Sequence, residues 1–230
     1  IKYHIVAILY IWEYAKVKPL RLKKSGAKMS KEVSFTRMDQ GTFEDYQMLA
    51  ELEHDYCAMT ADRILSQLAL QAEDTMTGYK INRLEHGLQS AARAEADGAD
   101  IDWVVAALIH DIGDGLSPQN HDRMAAEILR PFVREEVSWV VEKHGIFQMK
   151  YYGHHYGWNP DQRDEFKDNP YWQSCADFCE RWDQTSFDPD YPMPDLDHFA
   201  PLVREVFGRK AWDQSHIMPG VVKGIPKASV

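Results

Sequence analysis

From Thr42 onward the apolar residues recur at three- and four-residue intervals, and no stretch alternates apolar with polar between turn signals. A chain with that periodicity buries helix stripes and not sheet faces, so the body is expected to be all-α. Phe43 to Leu52 and Met59 to Ala72 read as amphipathic helices, the second presenting Ile64, Leu65, Leu68 and Leu70 before Thr77 and Gly78 break the pattern. Ile81, Leu84, Leu88 and Ala91 mark a helix from Ile81 to Ala96 that ends at Gly98. Asp102 is placed to cap the very apolar WVVAALIH, which runs into His110 and Asp111 and stops at Gly113 and Gly115.

Two more helices are expected, from about His121 to Val133, where Pro131 kinks or ends it, and from Glu135 to Lys143, with His144 and Gly145 at its exit. Residues 146 to 172 read as an irregular aromatic-rich excursion, and Ser174 to Trp182 as a last buried helix. The Pro-rich DPDYPMPD should be extended, followed by a short helix near Phe199 to Phe207 and a weakly ordered tail from Gly208. The expected organisation is an N-terminal extension over residues 1–40, poorly ordered or not native, a helical domain over 41–210, and a tail over 211–230.

With 230 residues, 44% of them hydrophobic, the chain can bury a core without disulfides or a structural metal. Its formal charge of −10 argues against a nucleic-acid surface. The charge is uneven: residues 1–28 hold seven cations against Glu13 alone, +6, leaving −16 for the rest. The apolar stretch from Ile5 to Trp12 precedes that basic run and is far shorter than the ~20 residues of a membrane span, so no membrane anchor is expected. The first methionine is Met29, which suggests an upstream extension, with a basic targeting segment as the rival reading. Three cysteines, Cys57, Cys175 and Cys179, form no secreted framework and point to a reducing, cytoplasmic setting.

Chemistry concentrates in the histidines. His110 and Asp111 end an apolar helix, where a carboxylate losing water needs a cation or donors. His86 lies 24 residues earlier, enough for a helical hairpin that returns both side chains to one level, while His121 lies 11 residues after His110 and His144 another 23 on. Four imidazoles can thus converge. Asp183, in ERWDQTSF, can supply a second carboxylate, with Asp177 as its competitor. Histidine and aspartate ligands without thiolate suit iron, manganese or zinc, and Asp111 can bridge two ions.

The order His86, His110-Asp111, His121, His144, Asp183 resembles the HD-domain superfamily, in its six-ligand, two-metal branch, over about residues 79 to 187. HDIG, then NHDRMAAEIL, then EKHG, is similar to myo-inositol oxygenase and to organophosphonate-cleaving HD oxygenases. The GYP-type signature of the cyclic-dinucleotide phosphodiesterases is missing. The resemblance implies a helical bundle around a dinuclear centre, with one metal on His86, His110, Asp111 and Asp183 and the other on His121, His144 and the bridging Asp111. It implies two iron ions in a mixed-valent Fe(II)/Fe(III) pair, dioxygen as co-substrate, and catalytic roles for Asp111 and His110. Where those relatives carry lysines this chain has Asp114 and Phe187, and of a Tyr-x-x-Glu pair ahead of the first histidine only Tyr79 remains.

Asp114 and the surrounding aromatics therefore suggest a substrate with a cationic end, an aminated phosphonate being one that also has an acidic end. Tyr79 and Lys143 complete the expected substrate contacts, with Lys150, Arg163 and Arg181 as further candidates for the acidic end. The leading expectation is a diiron oxygenase acting with dioxygen on a small polar molecule, as a monomer or homodimer. The alternative is a manganese- or zinc-dependent phosphohydrolase or phosphodiesterase. A binding protein that kept the fold without the chemistry stands third.

Overall fold

The computed structural model describes residues 32–73 and 78–226. The readings made for residues 1–28, the basic segment and its apolar stretch, lie outside the described residues. The chain divides after Met59 into two compact units. Over its described residues the first holds a 3₁₀ turn, Met38–Gln40, and helix α1, Phe43–Ala58. Thr42 starts α1 through a capping box with Asp45, whose carboxylate also accepts from the amide and hydroxyl of Ser34. The Thr42 and Ser34 donors hold the Asp45 carboxyl well below the usual carboxylate range.

The second unit is built from α2 (Thr60–Leu70), α3 (Arg83–Ala96), α4 (Ile101–Ile109), α5 (His121–Leu129) and α6 (Glu135–Tyr152), followed by α7 (Trp172–Phe178), α8 (Leu196–Phe207) and α9 (Gln214–Ile217). A π-helical turn, Cys179–Asp183, continues α7. No strand occurs among the described residues, so the all-α expectation holds. α4 is apolar all round and therefore central: every residue from Asp102 to Ile109 is buried. It packs against α3, α6 and α8, while α5 and α7 pack on α6 and α2 on α8.

Two glycines allow the close approaches that the site needs. A Cβ on Gly87 of α3 would stand 2.5 Å from the Leu108 carbonyl oxygen of α4, so only glycine lets these helices meet one residue from His86. A Cβ on Gly113 would stand 3.0 Å from backbone atoms of His121, which brings the start of α5 against the turn holding Asp111.

Several boundaries differ from expectation. α6 does not exit at His144 and Gly145 but runs on to Tyr152. A helical glycine costs about 1 kcal/mol, and the burial of Phe147 two residues later outweighs it. Asp100, not Asp102, caps α4 by accepting from the Trp103 amide at 3.3 Å. Asp102 is instead a buried ion-pair partner of Arg134 and Arg209. α5 stops at Leu129, ahead of Pro131, and Leu70 faces solvent while Ile64, Leu65 and Leu68 are buried.

Past Gly208 the described residues are tied down, contrary to the expected weak order. The amides of Lys223 and Gly224 donate to the buried Glu136 carboxylate, and the Trp103 indole donates to the Gly224 carbonyl. Among the described residues no helix is long and apolar enough to cross a membrane.

Candidate metal centre

Six side chains from five segments converge. His86 sits in the first turn of α3, which begins with an Asn82–Glu85 capping box. His110 follows the last residue of α4 and Asp111 comes next, in the turn. His121 opens α5, His144 lies in the body of α6, and Asp183 closes the π-helical turn after α7. Such π turns add a residue to a helix and re-aim the side chain beyond it.

The backbone fixes how the imidazoles point. Each Nδ1–H donates to a carbonyl: His86 to Ser186 at 2.8 Å, His110 to Ala107 at 2.8 Å, His121 to Pro118 at 3.0 Å and His144 to Val141 at 2.7 Å. With Nδ1–H committed to a carbonyl, each Nε2 is turned into the cluster, where it holds either a proton or a metal ion.

Those four Nε2 atoms surround two carboxylates. Asp111 Oδ2 is 3.6 Å from His86 Nε2 and 3.7 Å from His110 Nε2, whereas Oδ1 is 3.3 Å from His121 Nε2 and 3.3 Å from His144 Nε2. One oxygen thus faces each half of the cluster, the disposition of a bridging carboxylate. Asp183 Oδ1 joins the first half, 3.3 Å from His86 Nε2 and 3.5 Å from His110 Nε2. Three overlapping groups could hold a metal ion: His86, His110 and Asp111; His110, His144 and Asp183; and Asp111, His121 and His144. Asp177, the competitor of Asp183, instead accepts from Gln173 at 2.7 Å.

The electrostatics fit a cation. The Nε2 atoms of His86 and His110 are only 3.1 Å apart, a separation at which they share a proton or face a common cation. Asp111 Oδ1 and Asp183 Oδ2 are buried and have no hydrogen-bond partner. Burial opposes a charge on His86, His110 and His144, yet the Asp111 and Asp183 carboxylates hold all three above the usual histidine value. Burial likewise opposes ionisation of Asp111 and Asp183, and the imidazoles overcome it, keeping both below the usual carboxylate range. Nitrogen and carboxylate oxygen are ligands for iron, manganese or zinc. The thiols of Cys175 and Cys179 donate to the Val140 and His144 carbonyls, and burial pushes their pKa up.

Residues 83–171 match the HD domain family model. The match supports placing the chain in the HD-domain superfamily. That superfamily comprises metal-dependent hydrolases and oxygenases, and its domains bind divalent metals. The matched segment contains five of the six converging residues, from His86 to His144, and Asp183 lies beyond it. A comparison with curated proteins returned no match.

The expected substrate contacts fare unevenly. Asp114 is at the cluster, but its carboxylate faces a cation of this same chain: Arg83 Nε lies 2.5 Å from Asp114 Oδ2, and Arg83 Nη1 3.1 Å from Asp111 Oδ2. Burial first, and the nearby Asp111 charge second, raise the Asp114 pKa. Tyr79 is half-exposed and stacks on Phe187 at 5.4 Å, which stacks on His86 at 4.4 Å. Tyr79, Ile81, Asn82, Arg83, His86 and Phe187 line one cleft. Lys143 pairs with Glu142 at 2.8 Å and lies over the Phe166 ring, apart from this cleft. Lys150 pairs with Asp161, and Arg181 with Asp97. Sequence reasoning missed Arg83, although its place three residues before His86 puts both on one helix face.

Proposed function

We propose that this HD-domain chain is a non-haem diiron oxygenase that uses dioxygen to oxidise or cleave a small polar molecule. The observation that carries the reading is the set of four Nε2 atoms turned toward the two-faced Asp111. His86, His110, Asp111 and Asp183 would hold one ion, and His121, His144 and Asp111 the other. When bound, two irons would supply oxygen activation at one position and substrate orientation at the other. The HDIG, NHDRMAAEIL and EKHG segments support an oxygenase over the phosphohydrolase alternative.

The protein's own groups then bind and orient. Arg83 brings a guanidinium to the cleft beside Asp111, which suits an anionic end on the substrate. The rings of Tyr79 and Phe187 offer faces to a cationic or apolar end. Asp114 serves Arg83 instead of reading a substrate cation directly. An aminated phosphonate carries both kinds of end. Elemental analysis of protein purified without added metal, with electron paramagnetic resonance after partial reduction, tests the reading. Two irons with a coupled Fe(II)/Fe(III) signal, and oxygen consumption with aminated phosphonates, are expected. Tight manganese or zinc, with phosphate release in place of oxygen uptake, would establish the hydrolase instead.

A further inference from the structure

One face of α3 carries His86, Gln89 and Arg93, and the C-cap residue Asp97 continues the same line just past the helix end. All four grip the stretch from Arg181 to Asp188. Asp97 accepts from the Arg181 guanidinium and, at 2.7 Å, from the Trp182 indole N–H. Arg93 donates to the Thr185 carbonyl at 2.9 Å, and His86 Nδ1–H donates to the Ser186 carbonyl at 2.8 Å. Gln89 donates to the Asp188 carbonyl at 2.9 Å and accepts from the Asp188 amide at 3.3 Å, as a neighbouring strand would. Asp183 lies inside the span so held.

The arrangement answers a local need. The π-helical turn closes on its own Gln184–Cys179 backbone bond, but the residues after it leave helical geometry, so the Thr185, Ser186 and Asp188 carbonyls need partners elsewhere. Side chains of α3 supply those partners. Gln89 is fully buried, beside Leu88, Ala91 and Ala92, where an apolar residue would otherwise pack; its amide is matched to the Asp188 backbone. Because the same helix carries His86, the row of contacts ties the place of Asp183 to that of His86.

We infer that Gln89, Arg93 and Asp97 are positioning residues that set Asp183 against His86, and so tune the affinity of the metal position that uses Asp183 while leaving the His121–His144 position alone. The inference rests on the dinuclear reading above. Groups that orient a metal ligand typically change metal affinity 10–100-fold when removed.

The test titrates Mn(II) into metal-free full-length protein and follows free Mn(II) by electron paramagnetic resonance. Wild type is expected to take up two ions. Gln89→Leu and Asp97→Asn should each weaken one ion by about 10–100-fold and leave the other at wild-type affinity. Asp183→Ala marks the limit at which that same ion is lost. Wild-type affinity for both ions in both variants, or equal weakening of both, would overturn the inference while leaving the dinuclear reading intact. Wild type that binds no Mn(II) would overturn both. Circular dichroism checks the fold, and if Gln89→Leu does not fold, Asp97→Asn alone decides.

Discussion

Gly87 on α3 and Leu108 on α4 touch backbone to backbone, leaving no room for a Cβ: one added to Gly87 would lie 2.5 Å from the Leu108 carbonyl oxygen. The pair sets how deeply the two helices mesh, and each residue is within two positions of a converging histidine. Gly87→Ala should therefore force α3 and α4 apart. We expect a loss of roughly 1–3 kcal/mol, the usual cost of overpacking, seen as a lower urea midpoint. Metal content should fall with it, because His86 and His110 would no longer meet. A variant with unchanged midpoint and metal content would show that the contact does not fix the hairpin.

Asp111 presents different oxygens to the two halves of the histidine cluster. If it bridges two ions, Asp111→Ala should abolish both, whereas His121→Ala should cost only the ion on its own side. Elemental analysis after gel filtration separates the outcomes. Two tightly held ions in Asp111→Ala would sink the bridging assignment.

The helical class and the converging histidines were legible because both are periodic signals. Helix stripes repeat along the chain, and hairpin spacings of 24 and 23 residues return side chains to one level. What stayed hidden depends on single tertiary contacts. Whether Asp114 faces substrate or Arg83 is decided by a salt bridge across 31 residues. The resemblance singled out Asp183, but helical spacing alone left Asp177 as a competitor, because a π turn breaks the register between them. The length of α6 was underestimated because Gly145 reads as a stop unless the burial of Phe147 beyond it is known.

The acidities of the cluster give a pH signature. In metal-free protein burial disfavours charged imidazoles at His86, His110 and His144, but the neighbouring carboxylates prevail and raise all three. A raised folded-state pKa stabilises below the unfolded value of about 6.5 and is lost as pH climbs through the folded value. The metal-free thermal midpoint should accordingly fall as pH is raised above about 6.5. Metal must displace those protons, so its affinity should move the other way, weakening as pH drops from about 8 to 6. Asp111 and Asp183, held below the usual carboxylate range, stay ionised throughout that window. Calorimetric Mn(II) titrations in buffers of different ionisation enthalpy would count the protons released; a pH-independent affinity would contradict the protonated metal-free cluster.

At the opposite end of α4, Asp102 is buried between Arg134 and Arg209, with Nη1 atoms at 3.0 and 2.6 Å. Arg134 is itself buried, and Asp100, at 2.8 Å, and Glu136, at 3.8 Å, are further carboxylates paired with it. Removing one partner of a buried pair leaves an uncompensated charge, a loss of about 3–5 kcal/mol. Asp102→Ala should therefore lower the urea midpoint strongly. The lesion lies more than two helical turns from His110, so metal stoichiometry of the folded fraction should remain that of wild type. Loss of metal without loss of stability would mean that the α4 start is coupled to the cluster by a route other than the packing of α4 itself.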